Sequence, residues 1–128
     1  LLYPAVDLTR ETRSYELFGE GFLLTRRAMH WFMDHYLPNA SDRRDTRASP
    51  LLADDVAGVA PALVVTAGFD LLRDEGEAYA KRLEEAGVAV TLRRFETLTH
   101  GLYSMTGRVR AAKRALSETV DAFRAGFA

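Results

Sequence analysis

The 128-residue sequence contains no cysteine, so it forms no disulfide bridge and offers no thiolate ligand for zinc. This absence is typical of a reducing compartment, and we expect a cytoplasmic location. Charge of neither sign is in excess, because 17 lysines and arginines oppose 18 aspartates and glutamates. We therefore expect no nucleic-acid partner, and no apolar run approaches the length of a membrane span.

Motifs for nucleotides and metals are also missing. No Gly-x-Gly-x-x-Gly or Gly-Lys-Ser/Thr loop is present, and the arginines of segment 43–47 indicate a solvated turn. His30 and His35 lie five positions apart on a predicted helix, so they face different directions and do not pair on zinc. The adjacent acids of segment 54–55 indicate a cap or an exposed turn, since no spaced oxygen ligands accompany them.

The strongest pattern in the sequence is an apolar, β-branched run at 62–67, which is typical of a strand buried on both faces of a parallel sheet. The run breaks at Gly68, and Asp70 follows where the strand is expected to end. In open α/β sheets, ligands and catalytic groups collect at the carboxyl ends of the strands. Asp70 is therefore a candidate for chemistry.

Two predicted elements precede this central strand. Residues 1–3 indicate the end of an opening strand, and residues 5–21 are expected to be loop. A helix capped by Thr25 is predicted to run to about Leu37, with a wide apolar stripe. We expect that stripe to pack in the core or to line an apolar pocket.

Three elements follow the central strand. Asp74 is predicted to cap a helix that ends at Gly87, and the alternation from Val88 to Arg93 predicts a strand near the sheet edge. A last helix is predicted at 108–127, and its core-facing stripe is Val109, Ala112, Leu116, Val120, Phe123 and Phe127. The predicted fold class is α/β, with three parallel strands flanked by helices.

A histidine-glycine pair, His100-Gly101, follows the last predicted strand, so His100 and Asp70 are expected at the same edge of the sheet. A buried carboxylate that accepts a hydrogen bond from one imidazole nitrogen fixes the tautomer and supports the positive charge that forms when the other nitrogen takes a proton. Such a pair is a general base that needs a nucleophile. The pattern alone leaves a turn-capping aspartate and a backbone-bonding histidine equally open.

The segment 67–80 resembles the acid-bearing segment of the hormone-sensitive-lipase-like family of α/β-hydrolases. Further landmarks of that family occur in order along the chain: Tyr3-Pro4, Trp31-Phe32, Ser49-Pro50-Leu51, Leu83, Ala86-Gly87-Val88 and His100-Gly101. The resemblance implies that residues 1–128 are the C-terminal part of one α/β-hydrolase domain, with a lid or insertion at 18–50. It also implies that Asp70 is the acid and His100 the base of a Ser-His-Asp triad.

The sequence departs from the family in one large way, because it has no Gly-x-Ser-x-Gly elbow and no His-Gly-Gly run for an oxyanion hole. None of its serines lies at a predicted strand-to-helix elbow: Ser14, Ser41, Ser49, Ser104 and Ser117. The chain opens on Leu1 without methionine, and we expect it to be cut from a longer polypeptide. An upstream segment is expected to supply the serine, and the isolated chain is expected to be inactive. Smaller departures are Leu71 and Leu102, at positions where the family often has proline and phenylalanine.

The resemblance implies hydrolysis of a small-molecule carboxylic ester, by an esterase or lipase that uses no metal or organic cofactor. It also implies that a homodimer through the last strand and helix is compatible with the chain. Apolar side chains that suit either the acyl and alcohol pocket or the core are Phe18, Phe22, Trp31, Phe32 and Leu102.

Two alternatives stay open at this stage. The chain could be a non-catalytic structural or interaction module that keeps the same half-fold. It could also keep the fold and catalyse a different reaction, as a peptidase or thioesterase.

Overall fold

The computed structural model describes residues 1–9 and 11–126. No helix within these ranges is long and apolar enough to cross a membrane. The described residues form helices α1 (Arg13–Phe18), α2 (Arg26–Tyr36), α3 (Arg73–Glu85) and α4 (Arg110–Ala125), strands β1 (Ala62–Phe69) and β2 (Val90–Thr99), and short 3-10 helices at Ala40–Arg44, Pro50–Leu52 and Leu102–Met105.

The sheet is parallel, as predicted, with β1 in its centre. β2 pairs with one edge of β1 from Ala62 opposite Val90 onward. The opening segment lies along the other edge, where the Tyr3 N–H donates to the Val65 carbonyl at 2.7 Å. Only one bridge, between Leu2 and Val65, joins this segment to β1. The opening strand is therefore reduced to a short hydrogen-bonded segment.

Helices cover both faces of the sheet. Successive strand residues point to opposite faces, and both Thr66 and Ala67 are buried. The Thr66 hydroxyl donates to Glu77 of α3 at 3.0 Å. On the other face, a core cluster formed largely under α4 contains Ala67, Leu98, Leu102, Ala112 and Ala115. This layered arrangement leaves the carboxyl ends of both strands at one edge.

The region before β1 is partly helical. The side chain of Thr25 accepts a hydrogen bond from the Ala28 N–H at 3.2 Å, which confirms Thr25 as the cap of α2. The loop predicted over 5–21 is wrong in its second half, because α1 occupies Arg13–Phe18. That helix is stabilised by packing, since Tyr15 joins a buried cluster with Met29, Leu71 and Leu72.

Two predicted boundaries around α3 and β2 are wrong. Asp74 is not the cap of α3, because the helix begins at Arg73 with Leu72 at the cap position. Asp74 instead accepts a hydrogen bond from the Ser14 N–H at 2.8 Å. β2 extends to Thr99 instead of ending near Arg93, since it stays paired with β1 as far as Phe69.

The predicted core stripe of α4 is only partly correct. Ala112 is fully buried as predicted, and Ala115 and Thr119 are buried with it. Leu116, Val120 and Phe123 were also expected in the core but are 36–55% exposed, because α4 approaches the sheet through its small side chains. Phe127 lies outside the described residues.

Gly68 marks a close approach between the two strands. A Cβ added there would lie 2.0 Å from the Glu96 carbonyl oxygen, at the irregularity between Ala67 and Phe69. We expect Gly68→Ala to lower the free energy of unfolding by about 1–3 kcal/mol, because backbone must move to accept the methyl group. Urea denaturation measures this. Gly107→Ala is the control, since an added Cβ there meets nothing within 4 Å; equal effects of the two substitutions would disprove the steric explanation.

Candidate active site

Asp70 lies directly after β1, with 1% of its surface exposed. Its Oδ1 accepts a hydrogen bond from the Leu72 N–H at 2.9 Å, in the turn that leads into α3. This bond fixes the carboxylate and leaves Oδ2 directed to another partner.

The structure brings His100 to Asp70, as the topology predicts. His100 follows β2 directly, and its Nδ1 lies 2.8 Å from Asp70 Oδ2. Its side chain is 23% exposed, whereas that of Asp70 is 1% exposed. Because an ionised carboxylate only accepts hydrogen bonds, Nδ1 carries the proton and Nε2 is the basic nitrogen. The geometry therefore suits a general base oriented by a buried anion.

An aromatic ring packs beside this pair. The Tyr3 ring centroid lies 4.6 Å from that of His100, with an angle of 61° between the ring planes. Burial and then the charge of Asp70 raise the pKa of the Tyr3 phenol above its ordinary value. Tyr3 was noted in the sequence only as a family landmark, and this contact was missed because it joins residues 97 positions apart.

None of the five serines hydrogen-bonds to His100 in the described chain. The hydroxyl of Ser14 is buried and donates to the Leu71 carbonyl at 2.5 Å. Ser104, the nearest serine in sequence, donates to the Gly101 carbonyl at 2.8 Å. Ser49 is buried, and Ser41 and Ser117 are exposed. These positions support structural or surface roles for the serines.

Three phenylalanines gather at the carboxyl end of β1. Phe22 stacks on Phe69 at 5.4 Å, and Phe18 meets both rings edge-on at 5.3 and 5.7 Å. The Arg73 guanidinium lies 5.1 Å from the Phe18 centroid, over the ring. Since Phe69 is the last residue of β1 and immediately precedes Asp70, this phenylalanine cluster lies at the same end of β1 as the candidate site. Phe69 was missed, although its place at the end of a buried strand was a usable signal.

The other predicted pocket residues lie elsewhere. Trp31 and Phe32 contact each other at 5.3 Å and are 55% and 50% exposed. Within residues 1–9 and 11–126, no ring contact joins them to the phenylalanine cluster. Leu102 is fully buried in the core cluster under α4. A substrate-binding role for these three side chains, and for Phe18 and Phe22, stays a prediction.

The residues considered for metal binding have other partners. His30 Nε2 lies 3.2 Å from a Glu11 carboxylate oxygen, and His35 Nδ1 lies 2.8 Å from the Trp31 carbonyl. Asp55 accepts from the Ala57 N–H at 2.8 Å, as expected of an exposed turn. In the part of the chain that the structure describes, no three histidine, aspartate or glutamate side chains gather into a potential metal site.

Glu75 is a buried acid behind the site. Its Oε1 accepts from the N–H groups of Val6 and Asp7, at 2.7 and 3.3 Å. Burial raises the pKa of Glu75 to about 7, while the two backbone donors oppose the shift. Glu75 was not predicted to be buried. The signal for burial was its position on the helix. Glu75 lies four residues before Tyr79 and eight before Leu83, and both of these join the core cluster around Val56 and Val88.

The raised pKa predicts that stability falls as the pH rises. Between pH 4.5 and 7 the folded chain keeps the Glu75 proton while the unfolded chain releases it, so the free energy of unfolding decreases with pH. The slope from this group is at most about 1.4 kcal/mol per pH unit. Glu75→Gln keeps the acceptor oxygen and should flatten the profile. Urea denaturation at pH 5 and 8 measures this, with exposed Glu84→Gln as the control; an unchanged profile in Glu75→Gln would contradict it.

Residues 1–104 match a family described as alpha/beta hydrolase fold. The chain is 50% identical over 126 residues to a carboxylic ester hydrolase, LipN, of Mycobacterium tuberculosis, covering 98% of this chain and 34% of that protein. It is 37% identical to an ethyl acetate hydrolase of Pseudomonas putida, covering 97% of this chain and 39% of that protein. The crystal structure of EstE1, a thermostable carboxylesterase cloned from a metagenomic library, superposes with a TM-score of 0.92 at 41% identity, covering 98% of this chain and 44% of that one. The chain thus spans between a third and two fifths of these curated relatives' lengths.

Proposed function

Because this chain belongs to the α/β-hydrolase fold family, we propose that it supplies the acid and the base of a Ser-His-Asp triad that hydrolyses carboxylic esters. The observation that carries the proposal is the 2.8 Å contact between His100 Nδ1 and the buried Asp70 carboxylate. The esterase names of the relatives support the choice of an ester over an amide or thioester.

In the proposed reaction, His100 Nε2 takes the proton of a serine hydroxyl as its oxygen attacks the ester carbonyl. The imidazolium that forms is stabilised by Asp70, which stays ionised throughout. His100 then gives the proton to the leaving alcohol, and an acyl-enzyme remains. Water, activated by the same nitrogen, releases the acid and restores the serine.

The nucleophile in this proposal comes from a segment outside the 128 residues. The hydrogen bonds and exposure of the five serines support this assignment, since none of the five hydrogen-bonds to His100 in the part of the chain that the structure describes. The oxyanion donors are assigned to the same segment, because the chain has no His-Gly-Gly run. We call the polypeptide that joins this segment to the present chain the complete enzyme.

The substrate is proposed to be a small ester whose apolar part lies against the phenylalanine cluster. Phe18 and Phe22 are half-buried and Phe69 is 39% exposed, so the cluster offers apolar surface at the end of β1 that Asp70 follows. A position in the lid is proposed for residues 18–50, which include Phe18, Phe22 and α2. The homodimer contact through β2 and α4 also stays a proposal.

Hydrolysis of p-nitrophenyl butyrate by the complete enzyme tests the proposed function. We expect saturable turnover that stops after treatment with a serine-directed phosphonate, and no turnover from the 128-residue chain alone. Amide and thioester substrates should react much more slowly. A folded complete enzyme that hydrolyses none of these substrates would favour the structural-module alternative.

A further inference from the structure

Tyr3 has an unusual backbone conformation. Its φ angle is +36°, and within the described ranges no other residue except glycine has a positive φ. A bulky side chain in this region costs free energy and persists only where the surrounding structure holds it. A strained residue is therefore a reason to ask what its side chain does.

Two contacts hold the strained turn in place. On one side, the Tyr3 N–H donates to the Val65 carbonyl at 2.7 Å, at the edge of β1. On the other side, Pro4 packs against Gly76 of α3, where an added Cβ would lie 3.5 Å from Pro4 Cδ. The chain thus turns sharply between a strand and a helix, and Tyr3 lies at the turn.

The turn places the Tyr3 ring between two others. It lies 4.6 Å from the His100 ring and 5.8 Å from the Tyr103 ring. Tyr103 is held in turn by a 2.7 Å hydrogen bond between its hydroxyl and Thr119 of α4. Tyr3 also packs against the core cluster under α4. The Tyr3 ring therefore connects His100 to a fixed part of the core.

We propose that Tyr3 is a positioning residue for His100: its ring packs on the imidazole, restricts its rotation and shields the Nδ1–Asp70 hydrogen bond from water. The effect belongs to the ring, because the Tyr3 hydroxyl makes no hydrogen bond to any described residue. The kinetic consequence rests on the proposed function, whereas the effect on the imidazole does not.

Two substitutions separate the ring from the backbone. Tyr3→Phe keeps the ring and removes only the hydroxyl. Tyr3→Asn removes the ring but introduces a residue that tolerates positive φ, so the turn itself is preserved. Comparing the two variants isolates the contact with His100 from any general effect of the turn.

The first readout is the rate at which the Nδ1 proton of His100 exchanges with water, measured by NMR on the 15N-labelled chain. We expect slow exchange with water in the wild-type chain and in Tyr3→Phe, and exchange several-fold faster in Tyr3→Asn. The signals of His30 and His35 should not change. Equal exchange in all three proteins would overturn the proposal. A nuclear Overhauser contact between the Tyr3 and His100 rings in the wild-type chain is also required, and its absence would overturn the proposal even if Tyr3→Asn does not fold.

The second readout is ester hydrolysis by the complete enzyme. Tyr3→Asn should lower kcat by about ten- to hundredfold with little change in KM, and Tyr3→Phe should keep the wild-type rate. A loss in both variants would assign the effect to the hydroxyl and refute the ring contact. If the complete enzyme shows no esterase activity, the proposed function fails, and the proton-exchange result still decides the role of Tyr3.

Discussion

Replacing His100 with alanine is expected to lower kcat/KM of the complete enzyme for p-nitrophenyl butyrate by about 10⁴- to 10⁶-fold. In the proposed mechanism His100 takes the serine proton, because its Nδ1 is engaged by Asp70 and its Nε2 is left as the basic nitrogen. Without it the hydroxyl stays protonated at neutral pH. The side chain is only partly buried, so the fold should tolerate the change.

The two other histidines are matched controls for this substitution. His30 and His35 lie on α2, are both exposed, and have hydrogen-bond partners in Glu11 and the Trp31 carbonyl. His30→Ala and His35→Ala should leave kcat/KM within about twofold, in line with ordinary surface substitutions. A similar loss in all three variants would point to a general effect on folding. Substantial turnover by His100→Ala would remove His100 from the mechanism.

Asp70→Asn is expected to lower kcat by about 10⁴-fold with the fold retained. Asparagine keeps an oxygen for the Leu72 N–H, so the turn before α3 should survive. It offers the imidazole no anion, however, and its amide can donate to Nδ1. The imidazole then holds its proton on Nε2, where a base is needed, and the imidazolium loses its counter-charge.

Asp74→Asn is the control for Asp70→Asn. Asp74 is the next acid along the chain, but its carboxylate bonds to the Ser14 N–H and to Arg73, away from His100. Its loss should affect stability slightly and turnover little. If Asp70→Asn hydrolysed the ester at a near-normal rate while Asp74→Asn did not, the triad acid would be Asp74.

Where the signal is local, the sequence predicted the fold well. The β-branched run at 62–67 identified β1, Thr25 identified the start of α2, and Gly87 identified the end of α3. The three signals are strand propensity, side-chain capping and a glycine with positive φ, and each acts within a few residues. The family match and the esterase relatives confirm the resemblance to hormone-sensitive-lipase-like hydrolases.

The wrong predictions concern features decided by distant contacts. α1 forms because Tyr15 packs into a cluster with Leu71 and Leu72, which its local sequence does not encode. β2 continues past Arg93 because β1 provides a partner for it. The periodicity of α4 could not distinguish the small residues that touch the sheet from the larger ones beside them.

The candidate site shows the same contrast between features with local sequence signals and features that depend on distant contacts. The positions of Asp70 and His100 were predictable, since both residues follow parallel strands and must emerge at one edge of the sheet. The ring of Tyr3 on His100 and the carboxylate of Glu75 on the 5–7 segment join parts of the chain about 70 to 100 residues apart. Periodicity in the sequence does not predict contacts between residues so far apart.

The most direct test of the central claim is to label the complete enzyme with a serine-directed phosphonate and to map the adduct by mass spectrometry. We predict one adduct, on a serine outside the 128 residues, and greatly slowed labelling in His100→Ala. Two results would contradict the claim that this chain supplies the acid and the base but not the nucleophile. One is labelling that proceeds equally fast without His100. The other is an adduct on a serine of this chain: Ser14, Ser41, Ser49, Ser104 or Ser117.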